Sequence, residues 1–213
     1  MKRPTRIITI FLALTFTFAG YVYASPMYPV SVGDIIEIAD SGVGTGTGGG
    51  EFLVKDVDDN LLFSTFCLEY NEHISYNTKY TVTGVSDQTT TGDSLSAETK
   101  WLYWNFVTGD LDQEAGDLYA YDDAGIDALQ YAIWFLEEEQ TVVGGSAGEA
   151  LMQLATLKVS ADGYVFDGYV RVMNLGDHQD QLVAAAPVPE PATMLLLGSG
   201  LIGLAFYRRK MKK

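Results

Sequence analysis

The stretch Ala124-Gly125-Ile126-Asp127-Ala128-Leu129-Gln130-Tyr131-Ala132-Ile133-Trp134-Phe135-Leu136-Glu137-Glu138-Glu139 decides the fold class. Ile126, Leu129, Ile133 and Leu136 recur at i, i+3, i+7 and i+10, which puts them on one stripe of a helix. Ahead of it, Asp34–Ala39, Glu51–Val57, Leu62–Glu69 and Lys79–Val85 are rich in β-branched and aromatic residues and separated by turn-formers, so they read as strands. Ser41–Gly50, a Gly/Thr loop without the Gly-Lys-Ser/Thr ending of a phosphate loop, reads as a flexible hairpin connection. Ser96–Val107 reads as an earlier helix, with Ala97, Trp101 and Trp104 on one face and Gly109 just past its end. Ser146-Ala147-Gly148-Glu149 is a capping box that opens a third helix, through about Lys158. Tyr164–Asn174 and Gln181–Ala185 return to strand. Strands, then helices, then strands, without βαβ alternation, predict a single β-rich α+β domain with about three helices.

Both ends of the chain differ from this body. Lys2, Arg3 and Arg6 precede an apolar stretch from Ile7 to Gly20, and Val22-Tyr23-Ala24 ends it in the small-x-Ala pattern that signal peptidase cuts. Residues 1–24 are therefore expected to be a removable signal peptide, the alternative being a permanent N-terminal anchor; the apolar run is shorter than the ~20 residues that span a bilayer. At the other end come Val188-Pro189-Glu190-Pro191, an uncharged run 192–207, and the basic cluster Arg208, Arg209, Lys210, Lys212 and Lys213. The run reaches about 24 Å as a helix against a hydrocarbon core of ~30 Å, so it spans with local thinning or snorkelling of its flanking cations. The positive-inside rule puts the basic end in the cytoplasm, with Arg208, Arg209 and Lys210 as the stop.

Residues 25–186 form the intervening domain. They hold 27 of the 28 acidic residues but only Lys55, Lys79, Lys100, Lys158 and Arg171 of the 13 basic ones, a balance of −22. Nucleic acid is excluded as a partner on that ground, because phosphate binding needs clustered Lys and Arg.

Two residues in this domain demand a chemical account. Cys67 is the single cysteine of a chain bound for an oxidising compartment, where thiols are usually paired. Four readings compete: a buried apolar Cys, an intermolecular disulfide, a protease nucleophile, or a thiol held in another covalent bond. Gln130 lies four residues after Ile126 and three before Ile133, so an amide is aimed at the core. Burying it without partners costs roughly 1–3 kcal/mol, and it must be hydrogen-bonded or chemically consumed.

Each of these features resembles a known family. Val188-Pro189-Glu190-Pro191, the apolar run and the basic end together, over about Pro187–Lys213, closely resemble the PEP-CTERM sorting signal of Gram-negative bacteria. That resemblance implies recognition of Pro189, Glu190 and Pro191 by an exosortase, an anchor in the inner membrane, and final residence at the cell surface or in the extracellular matrix; a plain unprocessed C-terminal anchor is the alternative. Phe66-Cys67-Leu68-Glu69 with Leu129-Gln130-Tyr131-Ala132-Ile133-Trp134 resembles the Cys and Gln-x-Ala-Ile-Trp motifs of bacterial thioester domains. In those surface adhesins the Cys sulfur attacks the Gln side-chain carbonyl, ammonia leaves and an internal thioester forms. The resemblance implies Cys67 as thiol partner, Gln130 as acyl partner, and Phe66, Glu69 and Trp134 as pocket residues, with Trp101 and Trp104 as further candidates for a water-excluding shell. The implied protein is no enzyme and uses neither cofactor nor metal: it bonds itself to amine or hydroxyl groups of a surface or exopolysaccharide target. A non-covalent matrix- or polysaccharide-binding protein with Cys67 merely buried is the alternative.

Other sites are weaker on chemical grounds. Asp56-Val57-Asp58-Asp59-Asn60 begins like a calcium loop but has Leu61 where Gly is needed and Cys67 where Glu is needed. Asp110, Asp112 and Glu114 alternate on an expected loop. His73 pairs poorly with a strand Cys as a protease dyad, since no helix N-terminus lowers the thiol pKa. His178 is expected at the surface.

Overall fold

The computed structural model describes residues 27–44, 49–162 and 169–185, which all belong to one compact unit, Met27–Pro187; the second unit, made of both chain ends, lies outside the described residues. The signal peptide, the Pro-Glu-Pro box, the apolar run 192–207 and its basic cluster therefore fall there, and among the described residues no helix is long and apolar enough to cross a membrane.

The strands are β1 (Ile35–Asp40), β2 (Phe52–Lys55), β3 (Leu61–Thr65), β4 (Thr78–Thr81), β5 (Gly84–Ser86), β6 (Val170–Asn174) and β7 (Gln181–Ala184). The helices are α1 (Ala97–Thr108), α2 (Leu111–Ala115), α3 (Asp123–Leu136) and α4 (Ala147–Asp162). One antiparallel sheet has the order β3-β2-β1-β4 and the other β5-β6-β7. Among the described residues the architecture is thus mixed α and β with four helices, one more than the sequence predicts, and those helices hold more residues than the strands. The additional helix is α2, where Asp110, Asp112 and Glu114 were expected on a loop: Asp110 is its N-cap position, and Glu114 reaches Lys158 of α4 at 2.5 Å.

The segment expected as one strand, Lys79–Val85, divides between the sheets. Val82 donates its N–H to Asp34 O in the first sheet at 2.9 Å, and the next residue, Thr83, donates to Asn174 O in the second at 2.8 Å. Gly84 makes the crossing possible, because a Cβ there would sit 2.6 Å from Asn174 Oδ1.

Helix limits follow the caps. The Ser96 hydroxyl accepts the Thr99 N–H at 3.1 Å and donates to Glu137 at 2.7 Å, tying the start of α1 to the end of α3, while Gly109 closes α1 in the left-handed region. Ser96→Ala is expected to lower stability by about 1 kcal/mol, read as the midpoint of urea unfolding. Asp122 caps α3 through the Gly125 N–H. The helix stops at Leu136, short of the expected Glu139, since Glu138 takes φ 61°.

The second sheet is buried on both faces. Val170, Val172 and Leu182 join a core with Leu102, Ile126, Leu129, Ile133 and Leu151 of the helices. Their alternates Met173 and Val183 join a second core with Ile36, Ile38, Phe52, Val54 and Tyr80 of the first sheet. Helix α3 contributes Leu129 and Ile133 to the first core and Trp134 to the second, which brings its Gln130 turn between them.

Candidate functional site

Cys67 sits where the chain leaves one sheet for the other. After β3 the segment Phe66–Leu68 turns to β7: Leu182 donates to Phe66 O and Leu68 to Asp180 O, each at 3.1 Å, with Cys67 opposite Gln181 in an isolated bridge. Strand alternation sends Phe66 and Leu68 into the helical core and Cys67 into the other.

Gln130 meets Cys67 across this junction. Both side chains are fully buried. Cys67 Sγ lies 3.2 Å from Gln130 Oε1, and Gln130 Nε2 donates to the Cys67 carbonyl oxygen at 2.9 Å. The carboxamide is therefore held at both ends by a single residue 63 positions earlier in the chain. Burial pushes the Cys67 thiol well above its ordinary pKa, and Glu69, once ionised, opposes the thiolate further. The sulfur consequently rests as a neutral thiol. Contact, not prior ionisation, is what this geometry supplies; enforced proximity of reacting groups is worth effective molarities of ~10⁵ M or more in well-oriented cases.

The expected pocket residues separate. The Trp134 ring lies in the Cys67 core and would touch any Cβ built on Gly49, at 2.6 Å. Its edge-on neighbours are Tyr70, with ring centroids 4.9 Å apart, and Tyr131, at 5.7 Å. Phe66 is not part of this wall: it points the other way and meets Phe106 edge-to-face at 5.0 Å. Trp101 is buried in the helical core, and Trp104 packs on Tyr169, so neither shields Cys67. Tyr131 packs against the core that holds Cys67 and Trp134, and Tyr70 reaches Trp134 from the exposed side, contacts that only tertiary packing reveals.

Glu69 is buried beside the site. Its Oε2 accepts the Asp180 N–H at 2.8 Å, and the Gln179 side chain donates to its backbone oxygen. Burial, followed by the neighbouring Asp180 charge, pushes its pKa up to about 8. Asp180 is itself held by Thr90 N–H at 2.6 Å, the Thr90 hydroxyl at 3.1 Å, Asn174 Nδ2 at 2.9 Å and Leu175 N–H at 3.1 Å. This cluster fixes the turn between β6 and β7 against the Cys67 segment.

The remaining candidates act as surface structure. Asp56 folds its own turn, accepting Asp58 and Asn60 N–H groups at 2.9 Å, and Asp59 pairs with Lys55 at 2.7 Å. No cluster of His, Cys, Asp and Glu suited to a metal occurs among the described residues. His73 and His178 are exposed, the latter edge-on to Tyr80 at 5.0 Å. An exposed His73 and a fully buried Cys67 make no hydrogen bond among the described residues, and the protease dyad has no geometry to rest on.

Comparison with known proteins bears on the tail. Residues 187–210 match the PEP-CTERM protein-sorting motif. No curated protein and no solved structure matches the chain. That motif implies processing by an exosortase, and with it export and a transient membrane anchor before release to the cell surface. What the body does must be read from its own residues.

Proposed function

We propose that this exported protein is a covalent binder whose Cys67 and Gln130 form an internal thioester that acylates amine or hydroxyl groups of a surface or matrix target. The observation that carries the reading is the Sγ to Oε1 distance of 3.2 Å inside a fully buried pair. Attack by the thiol forms an S–C bond at Gln130 Cδ; the thiol proton leaves with the amide nitrogen, the C–N bond breaks and ammonia departs. In the second step a nucleophile takes the acyl group, the C–S bond breaks and the proton returns to sulfur. Trp134, braced by Tyr70 and Tyr131, keeps water from the acyl carbon between the steps. The acyl group remains on its target, so nothing turns over and the protein is not an enzyme. Incubation with biotinylated primary amine is expected to label the folded protein through a bond that survives denaturing electrophoresis. Labelling lost on denaturation would sink the reading.

A second reading, non-covalent polysaccharide binding, is favoured by an open groove lined by Phe63, Phe106, Leu111, Asp112, Tyr119 and Tyr121. The Tyr119 hydroxyl is buried there without a hydrogen-bond partner, while Tyr121 donates to Glu51 at 2.7 Å. Aromatic faces with adjacent acceptors suit a sugar ring. Retention of polysaccharide under native conditions alone distinguishes this reading from covalent capture.

A further inference from the structure

We infer that the backbone N–H of Gly50 is the oxyanion donor of the Cys67–Gln130 chemistry, and that the Gly49-Gly50 pair exists to place it; the inference rests on the thioester reading above. Among the described residues two donors address Gln130 Oε1: Cys67 Sγ at 3.2 Å and Gly50 N–H at 3.4 Å. The first becomes the nucleophile and gives up its proton as the S–C bond forms. Among the described residues the second is the donor left to meet the negative charge that gathers on Oε1 when Cδ becomes tetrahedral. At 3.4 Å the bond is weak to the neutral amide, beyond the usual N–H···O range. A donor that binds weakly in the ground state and strongly to the oxyanion lowers the barrier without stabilising the reactant. The same N–H then faces the thioester carbonyl and serves the second attack.

The placement of this N–H requires glycine at several points of the loop. Gly50 has φ 138°, and a Cβ there would lie 2.0 Å from the Gly44 carbonyl oxygen. A Cβ on Gly49 would meet Trp134 at 2.6 Å and Gln130 Cγ at 3.0 Å. Gly44, at φ 73°, would strike Ile126 at 2.2 Å, and its N–H reaches Asp123 Oδ1 at 3.2 Å. Ile126, Gln130 and Trp134 follow one another at i, i+4 and i+8 on α3. The described ends of the loop are thus seated along the helix face that bears Gln130.

The test removes the one hydrogen. Gly50 is replaced by glycolic acid in the full chain by nonsense suppression, which turns its amide into an ester and adds no Cβ. Ammonia loss is followed by intact mass from the onset of folding, with a thermal melt in parallel. Loss is expected to slow by roughly 100- to 1000-fold, the usual effect of one oxyanion donor. Loss at the wild-type rate overturns the inference while leaving the thioester standing. Absence of loss from the wild type overturns the thioester reading itself and this inference with it. Should the ester variant melt early, the wild type alone decides: with ¹³C at Gln130 Cδ, the thioester carbonyl stretch is expected below that of an alkyl thioester in apolar solvent. A stretch at the free-thioester position overturns the donor role.

Discussion

Cys67→Ala and Gln130→Ala are each expected to abolish covalent amine uptake completely, although the two positions lie 63 residues apart and sit on different elements. The reasoning is stoichiometric. Without sulfur there is no nucleophile, and without the carboxamide there is no acyl group, so neither variant retains a partial activity. A buried structural cysteine predicts no such shared phenotype. Each truncation leaves a cavity and, for Gln130, removes the donor to the Cys67 carbonyl and the acceptor for Gly50. A stability cost of about 1–3 kcal/mol follows, and circular dichroism should show both variants folded before uptake is scored.

The second large effect is on the pH dependence of stability. Glu69 has its pKa raised from 4.5 to about 8 in the folded protein. Below pH 4.5 the carboxyl is protonated whether the chain is folded or not, and its full contribution is present. Between pH 4.5 and 8 the unfolded chain ionises there while the folded one does not, so stability falls as pH rises through that window and levels off above it. About 3 kcal/mol is expected to be lost in this way, given that each unit of pKa difference is worth ~1.4 kcal/mol and the carboxyl keeps some contact with water. Glu69→Gln keeps an acceptor for the Asp180 N–H and carries no charge. Its urea midpoint should therefore exceed the wild type's at pH 8.5 and approach it near pH 4.5. Burial raises the Glu137 carboxyl as well, and because both proteins retain that group, the difference between them isolates Glu69. Parallel pH profiles for the two would contradict the assignment.

Much of the Cys67–Gln130 pair was legible in the sequence because both residues are out of character where they stand. A solitary thiol in an exported chain and an amide among Ile126, Leu129 and Ile133 each call for an explanation that composition cannot supply. Helices α1, α3 and α4 were legible for the same local reasons that form them: apolar periodicity, Ser146 as a cap, Gly109 as a stop. The rest depends on neighbours distant in sequence. Phe66, which the resemblance implies as a pocket residue, lies instead in the helical core, because strand alternation turns residues 66 and 67 to opposite faces. Ser41–Gly50 does join the antiparallel strands β1 and β2 as a hairpin connection, but composition does not reveal that Gly44 lies against Ile126 and Gly49 against Gln130 and Trp134. Helix α2 is five residues long and has no side-chain cap bond, too little local signal for periodicity to detect. The division of Lys79–Val85 between two sheets has one local trace, Gly84, and its cause, Asn174, lies ninety residues on.

The most direct test of the central claim is the intact mass of the protein recovered in folded form from cells that export it. Formation of the Cys67–Gln130 thioester removes one ammonia and nothing else. The account predicts a mass lower than the sequence requires by that single molecule, restored by hydrolysis to the mass of a chain with Glu in place of Gln130. A folded protein at its full unmodified mass, with Cys67 free to alkylation once unfolded, would contradict it.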